Sequence, residues 1–147
     1  MSSPRLEVPI LRLHESLPEP AYATPGSVGF DLSTAAAADI QPGEIALVGT
    51  GLVLATPPGW ALLVCLRSST PKRFGVMQPH GIGVIDQDYC GVEDELRLQL
   101  LNFTQQAIHI PAHSRIAQGV FVHAEQAAWT AHVPAGASRG GFGSTEG

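Results

Sequence analysis

Within ten consecutive residues, His80 to Tyr89, an apolar run with two glycines leads to a carboxylate at Asp86 and, three positions on, an aromatic ring at Tyr89. Gly81 and Gly83 let the backbone approach a ligand closely or take up φ > 0. Val84 and Ile85 favour a strand, and Asp86-Gln87-Asp88 reads as its turn. Such a hairpin presents main-chain amides and carbonyls, one acid and one flat ring. Those groups can hold a planar base and a sugar, with the carboxylate in reach of a water. An ordinary hairpin with a solvated Asp turn has the same local features, so the choice rests on the rest of the chain.

Two further segments carry anion chemistry. Arg67-Ser68-Ser69 stands before a helix start, with Thr70 expected as N-cap and Pro71 at the first helical position. It offers a guanidinium, hydroxyls and N–H groups to an anion. The glycine-rich tail from Gly136 to Thr145 has Arg139 and Phe142 as its large groups. That composition suits a disordered terminus, and it also suits a segment that wraps a phosphate chain. Asp31 or Asp86 can handle a hydrated metal or a water.

These residues need a scaffold, and composition says which kind. A chain of 147 residues is one domain, large enough to bury roughly 70% of its unfolded surface. Its 44% hydrophobic and 14% charged content excludes a disordered polymer. Sixteen glycines and twelve prolines cut it into short pieces, which favours strands over long helices. Strand candidates are Leu6 to Ile10, Phe30 to Leu32, Ile45 to Val48, Leu52 to Leu54, the continuous apolar run Trp60 to Leu66, Leu96 to Leu100, and Arg115 to Val122. The run Trp60 to Leu66 is expected to be buried and to deliver Arg67 at its end. One helical turn from Thr70 should stop at Gly75, and Ala124 to Ala131 has room for a second short helix. The expected class is all-β.

In this order, the pieces resemble the trimeric deoxyuridine triphosphatases (dUTPases) over nearly the whole chain. Five motifs carry the resemblance: Gly29-Phe30-Asp31-Leu32, Arg67-Ser68-Ser69, Gly83-Val84-Ile85-Asp86-Gln87-Asp88-Tyr89, Arg115-Ile116-Ala117-Gln118, and Gly140-Gly141-Phe142-Gly143-Ser144-Thr145. The resemblance implies a jelly-roll-like β-clip body over residues 1–134 and a flexible tail over 135–147 that closes over the site. It implies a homotrimer with shared sites that cleaves dUTP to dUMP and pyrophosphate with Mg2+. By the same resemblance Asp86 deprotonates the attacking water and Tyr89 packs under the deoxyribose. The backbone around Gly81, Gly83, Val84 and Ile85 reads uracil. Arg67, Ser68, Ser69 and Gln118 lie along the phosphates, and Asp31 holds Mg2+ through a water. Phe142 covers the base, while Gly143, Ser144 and Thr145 close the phosphate clamp.

Four departures from the family pattern stand out, the first being Glu146 after Thr145, where a glycine is common in the family. About three extra residues follow the third motif, in Cys90-Gly91-Val92-Glu93-Asp94-Glu95. His80 stands where many members carry asparagine. Arg139 sits directly against Gly140, displaced from the family's usual register, yet it is the only arginine after Arg115 and is expected to reach the γ-phosphate.

Other classes were weighed. Deoxycytidine triphosphate deaminases share the fold but need a glutamate near the base and lack the Asp-x-Asp-Tyr pattern. A nucleotide-controlled binding protein and a purely structural β-domain are the remaining alternatives, and the second has no use for two phosphate clamps. A net charge of −5 without a basic run argues against nucleic-acid binding. No apolar run reaches membrane-spanning length and the start has no signal core, so a reduced cytoplasmic protein is expected, with Cys65 and Cys90 as thiols. Six histidines show no ligand spacing, since Pro111 breaks any helix that would align His109 with His113. Asp88 reads as a turn residue, Cys90 as an inert thiol, and Glu93-Asp94-Glu95 as a solvated loop.

Overall fold

Glycine and proline punctuation yields strands of two to nine residues in the computed structural model, which describes residues 5–138, 140 and 141. In chain order the strands are β1 (Ile10–Arg12), β2 (Phe30–Ser33), β3 (Ala38–Ile40), β4 (Ile45–Gly49), β5 (Leu52–Leu54), β6 (Trp60–Leu66), β7 (Val76–Met77), β8 (Gly83–Ile85), β9 (Arg97–Asn102), β10 (Ile108–Ile110) and β11 (Arg115–His123). A single helix, α1 (Thr70–Phe74), joins β6 to β7 among the described residues. The all-β expectation holds.

Every pairing is antiparallel and none joins strands adjacent in the chain. The largest sheet runs β2-β11-β6-β8, a second runs β4-β9-β7, and β1-β5 and β3-β10 are two-stranded. Period-two alternation sends Leu62, Val64, Leu98, Leu100, Phe30 and Leu32 into one core with Ile40, Ile110 and Ile116. Asn102 is buried at the end of β9 and ties three segments together. Its amide donates to Ile40 O (2.9 Å) and Gln106 O (2.8 Å), and its carbonyl accepts from the Thr104 N–H and hydroxyl. Asn102→Ala removes all four bonds; Gln106 O keeps the Thr104 hydroxyl at 2.9 Å, while Ile40 O and the Thr104 N–H lose their side-chain partner. Thermal unfolding should show a loss of about 3 kcal/mol, a fall in Tm of roughly 6–12 °C; an unchanged Tm would mean the loops repack freely.

Several local expectations are corrected. β1 begins only at Ile10, because Pro9 has no amide to give a ladder; its carbonyl accepts from Ala55 instead. The helix N-cap is Ser69, not Thr70, whose hydroxyl is used on Ile116 O at 2.6 Å. Gly75 ends the helix with φ 71°, as expected. Residues 124–131 form no helix, for so short a segment needs packing and Trp129 there is 92% exposed. Finally, β6 is not buried throughout. Leu62 and Val64 face the core while Leu63 and Cys65 are only half-buried, so its second face is an apolar surface.

Candidate functional site

Cross-strand register gathers the residues expected to meet an anion. Asp31 of β2 pairs with Gln118 of β11, and Gln118 pairs with Cys65 of β6, so the three form one row across the sheet. Gly29 leaves room for this: a Cβ there would lie 2.6 Å from Gln118 Oε1. Past the end of β6 the chain is strapped to β11, as the Arg67 N–H (3.0 Å) and the Thr70 hydroxyl (2.6 Å) both donate to Ile116 O. Arg67 Nε then stands 3.2 Å from Asp31 Oδ1, and Arg115 Nη1 3.2 Å from Asp31 Oδ2. Partly exposed ion pairs add little stability, but this carboxylate, itself 17% exposed, sets where two guanidiniums point. Ser68 and Ser69 lie exposed beside them, and the Ser69 hydroxyl makes no cap bond.

A β-bulge completes the cluster. Arg115 pairs with Ser33 and Gln118 with Asp31, so three steps on β11 match two on β2, with the shift between Arg115 and Ala117. Simple alternation would send Arg115 and Gln118 to opposite faces. The extra residue buries both Ile116 and Ala117 and turns the arginine and the amide to the same side.

The glycine-rich stretch behaves differently from its expected hairpin. β8 does not fold back locally; Gly83, Val84 and Ile85 pair with Val64, Leu63 and Leu62 of β6. The physical reason is that β6 offers a long apolar partner, while the turn at Asp86 to Tyr89 closes on itself with Tyr89 N–H on Asp86 O at 3.3 Å. As the edge of its sheet, β8 still leaves main-chain donors and acceptors facing outward, as the base-reading expectation requires. Gly81 takes φ 78°, which turns the chain into that edge. A cavity of about 530 Å³ lies against it, lined by Gln78, His80, Gly83, Tyr89 and Arg97 among others, a size suited to a small ligand. Asp86 opens onto a neighbouring concavity of about 540 Å³ with Val84, Ile85 and Trp60. His80 Nε2 lies 3.2 Å from the Gln78 amide nitrogen, which also donates to Val64 O at 3.2 Å.

One chain therefore holds two separate clusters. Asp86 follows Ile85, which is level with Leu62, whereas Asp31 is level with Cys65 and lies three strands across the sheet. Asp86 is thus three strands across and four residues along from Asp31; at about 4.8 Å between strands and 3.3 Å per residue, that separation is about 20 Å. Direct hydrogen bonds reach about 3 Å. Asp86 and the Arg67–Asp31–Arg115 group of a single chain cannot act on one phosphorus.

Arg139, Phe142, Gly143, Ser144 and Thr145 lie outside the described residues. Sequence reasoning named Arg115 only as part of a motif and gave it no role; its signal was its place three residues before Gln118, unreadable without the bulge. Gln78 was missed altogether, while Thr70 was read only as a helix cap and Glu95 only as a loop residue. Glu95 corrects the solvated-loop reading, since its side chain is 17% exposed and hydrogen-bonded, while Glu93 is exposed.

Among the described residues no group of three or more His, Cys, Asp or Glu side chains forms a cation cage. Both Asp31 oxygens face guanidiniums, yet a carboxylate has about four lone-pair sites. Asp31 can take a water of a hydrated ion. This donor set fits Mg2+, which keeps several waters and binds substrate phosphates, and does not fit a metal needing a full protein cage.

A family model described as dUTPase matches residues 15–146. The deoxyuridine 5'-triphosphate nucleotidohydrolase of Streptomyces coelicolor is 38% identical over 151 residues, covering 100% of this chain and 81% of that protein. That of Desulfotalea psychrophila is 39% identical over 136 residues, with 89% of each chain covered. Among solved structures, the dUTPase from Streptococcus mutans superposes with a TM-score of 0.75 at 30% identity, over 83% of this chain and 98% of that one. The Staphylococcus bacteriophage 80alpha dUTPase with dUPNHPP reaches a TM-score of 0.83 over 95% and 98% of the two chains; at 19% identity that likeness concerns the fold.

Proposed function

The chain belongs to the dUTPase family, and from that premise we propose that it hydrolyses dUTP to dUMP and pyrophosphate as a homotrimer with sites shared between subunits. The observation that carries the shared site is the separation of Asp86 from the Arg67–Asp31–Arg115 cluster by about 20 Å within one chain. A neighbouring copy closes that gap by setting its own basic cluster against this chain's Asp86. The apolar outward surfaces fit such contacts. One is the half-buried face of β6 with Val84, which is 59% exposed. The other is the row Ile45–Leu101–Met77 across β4-β9-β7.

In the assembled site the outward edge of β8 reads the uracil, whose donor and acceptor pattern differs from that of cytosine. Fixed main-chain groups discriminate well, since a wrong base leaves buried groups unpaired. Tyr89 packs under the deoxyribose. Asp86 takes a proton from the water that attacks the α-phosphorus; the bond from that phosphorus to the bridging oxygen breaks, and pyrophosphate leaves. Arg67, Ser68, Ser69 and Gln118 of the neighbouring cluster hold the phosphates, and Asp31 keeps both guanidiniums aimed at them. Asp31 would hold a Mg2+ ion carried by the triphosphate through one of the ion's waters, and the ion would supply charge neutralisation at the phosphates. The body spans residues 1–134, and residues 135–147 form the tail that closes over the site, bringing Arg139 to the γ-phosphate and Phe142 over the base.

The protein acts in the cytoplasm, limiting uracil incorporation into DNA and supplying dUMP for dTMP synthesis. Both cysteines are free thiols, which supports a reducing compartment. Among the described residues no helix is long and apolar enough to cross a membrane.

Pyrophosphate release should be measured with dUTP, UTP, dTTP and dCTP, with and without Mg2+. Turnover confined to dUTP and lost on chelation is the expected outcome. Equal turnover of all four would defeat the proposal, because a base-reading edge must discriminate.

A further inference from the structure

A flat ring excludes a ribose 2'-hydroxyl only if it cannot move aside. Tyr89 is 40% exposed and sits at the end of a turn, so packing alone does not hold it. Its hydroxyl, however, donates to Glu95 O at 3.0 Å. Glu95 is itself fixed. Its Oε1 accepts from the Gly51 N–H at 2.8 Å, its Oε2 meets Arg97 Nε at 3.1 Å, and the side chain is 17% exposed. The notch that receives this carboxylate is cut for it: a Cβ at position 49 would lie 2.2 Å from Glu95 Oε1. Gly51 adopts φ 69°, a conformation that aims its amide there at no steric cost. The next residue is clamped as well, with the Thr50 N–H (3.1 Å) and hydroxyl (2.7 Å) both on Leu96 O, and Leu96 N–H on Leu52 O at 2.8 Å.

The extra residues between Tyr89 and Glu95 do not disturb this anchor, because they close on themselves. Asp94 N–H donates to Gly91 O at 3.0 Å, and Gly91 N–H to Asp94 Oδ2 at 2.7 Å. The insertion is thus a self-contained turn that returns the chain to Glu95 beside the ring.

We propose that Glu95 is a positioning residue for sugar selection: locked in the Gly49–Gly51 notch, it holds the Tyr89 hydroxyl through its main-chain carbonyl and makes the ring a wall against ribose. This rests on the dUTP-hydrolysing reading above and extends it to a residue that touches no substrate. Removing the tether lets the ring swing and admits UTP.

The readout is the ratio of kcat/KM for dUTP to that for UTP, with Tm measured on each variant. One hydrogen bond lost implies a fall of about five- to tenfold in the ratio for Tyr89→Phe, whatever the change in kcat/KM for dUTP itself. Glu95→Ala should lower the ratio at least as much. Glu95→Gln, which keeps an oxygen for Gly51 N–H, should restore most of it. The double variant should be no worse than Glu95→Ala, as both remove one tether. A merely structural glutamate would change Tm and leave the ratio alone. An unchanged ratio in Tyr89→Phe overturns the proposal even if Glu95→Ala does not fold, and so does an unchanged ratio in a folded Glu95→Ala. If the unaltered chain fails to cleave dUTP, the reading beneath the proposal falls and takes it along; cleavage with unmoved ratios refutes the proposal alone.

Discussion

Two inactive variants, Arg67→Ala and Asp86→Asn, should recover about one quarter of normal activity when co-expressed or refolded together, by random subunit mixing in a closed oligomer. Each variant alone has every site broken. In a mixture, a site is whole when the subunit giving Asp86 is the arginine variant and the neighbour giving Arg67 is the aspartate variant. Each condition is met half the time. The expectation follows from register alone: Asp86 continues from Ile85 opposite Leu62, while Arg67 is tied to Asp31, level with Cys65 at the far edge of the sheet. Sites contained within one chain would give no recovery at any mixing ratio, and that result would end the shared-site picture. Sedimentation of the mixed sample shows whether subunits exchanged.

Asp86→Asn by itself should lower kcat by about 10²- to 10⁴-fold, the usual contribution of a positioned general base. The amide keeps the shape of the carboxylate but cannot accept the proton of water. Substrate affinity should survive, because the contacts assigned to binding lie on the β8 edge and in the basic cluster of the neighbouring subunit. Equilibrium binding of dUTP beside single-turnover rates separates the two effects. A near-normal kcat would move the base elsewhere, with Asp88 in the same exposed turn as the next candidate.

Much of the site is legible in the sequence, and the reasons are local. Asp86 and Tyr89 share one turn, so their spacing in the chain is nearly their spacing in space. Arg67, Ser68 and Ser69 follow an apolar strand and precede Pro71, and the start of α1 is written in that order. Gly29 announces a close approach without naming the partner, Gln118. The expected strands β2, β4, β5, β6, β9 and β11 appear because branched and aromatic runs bounded by glycine or proline have few other solutions. β3, β7 and β10 are too short to show a period, and β5, as short as β3 and β10, is legible only because it is wholly apolar.

Identity of the chemical groups was therefore settled by the sequence: an acid beside a ring, an arginine with two serines, a glutamine behind another arginine. Tertiary structure alone decided how those groups meet. No two consecutive strands pair, so each cross-strand contact depends on closing a long loop, and nothing near Asp31 in the chain points to Arg67 or Arg115. One bulged residue in β11 decides that Arg115 and Gln118 share a face, against the alternation written in the sequence. The pairing of β8 with β6, in place of a local hairpin, is what puts Asp86 far from Arg67 and Arg115 of its own chain. Glu95 looked like a loop residue because its partners, Gly49 and Gly51, are brought to it by strands that pair across the fold. Side-chain chemistry is a property of each residue, but register is a property of pairs, and pairs exist only once the sheets have formed.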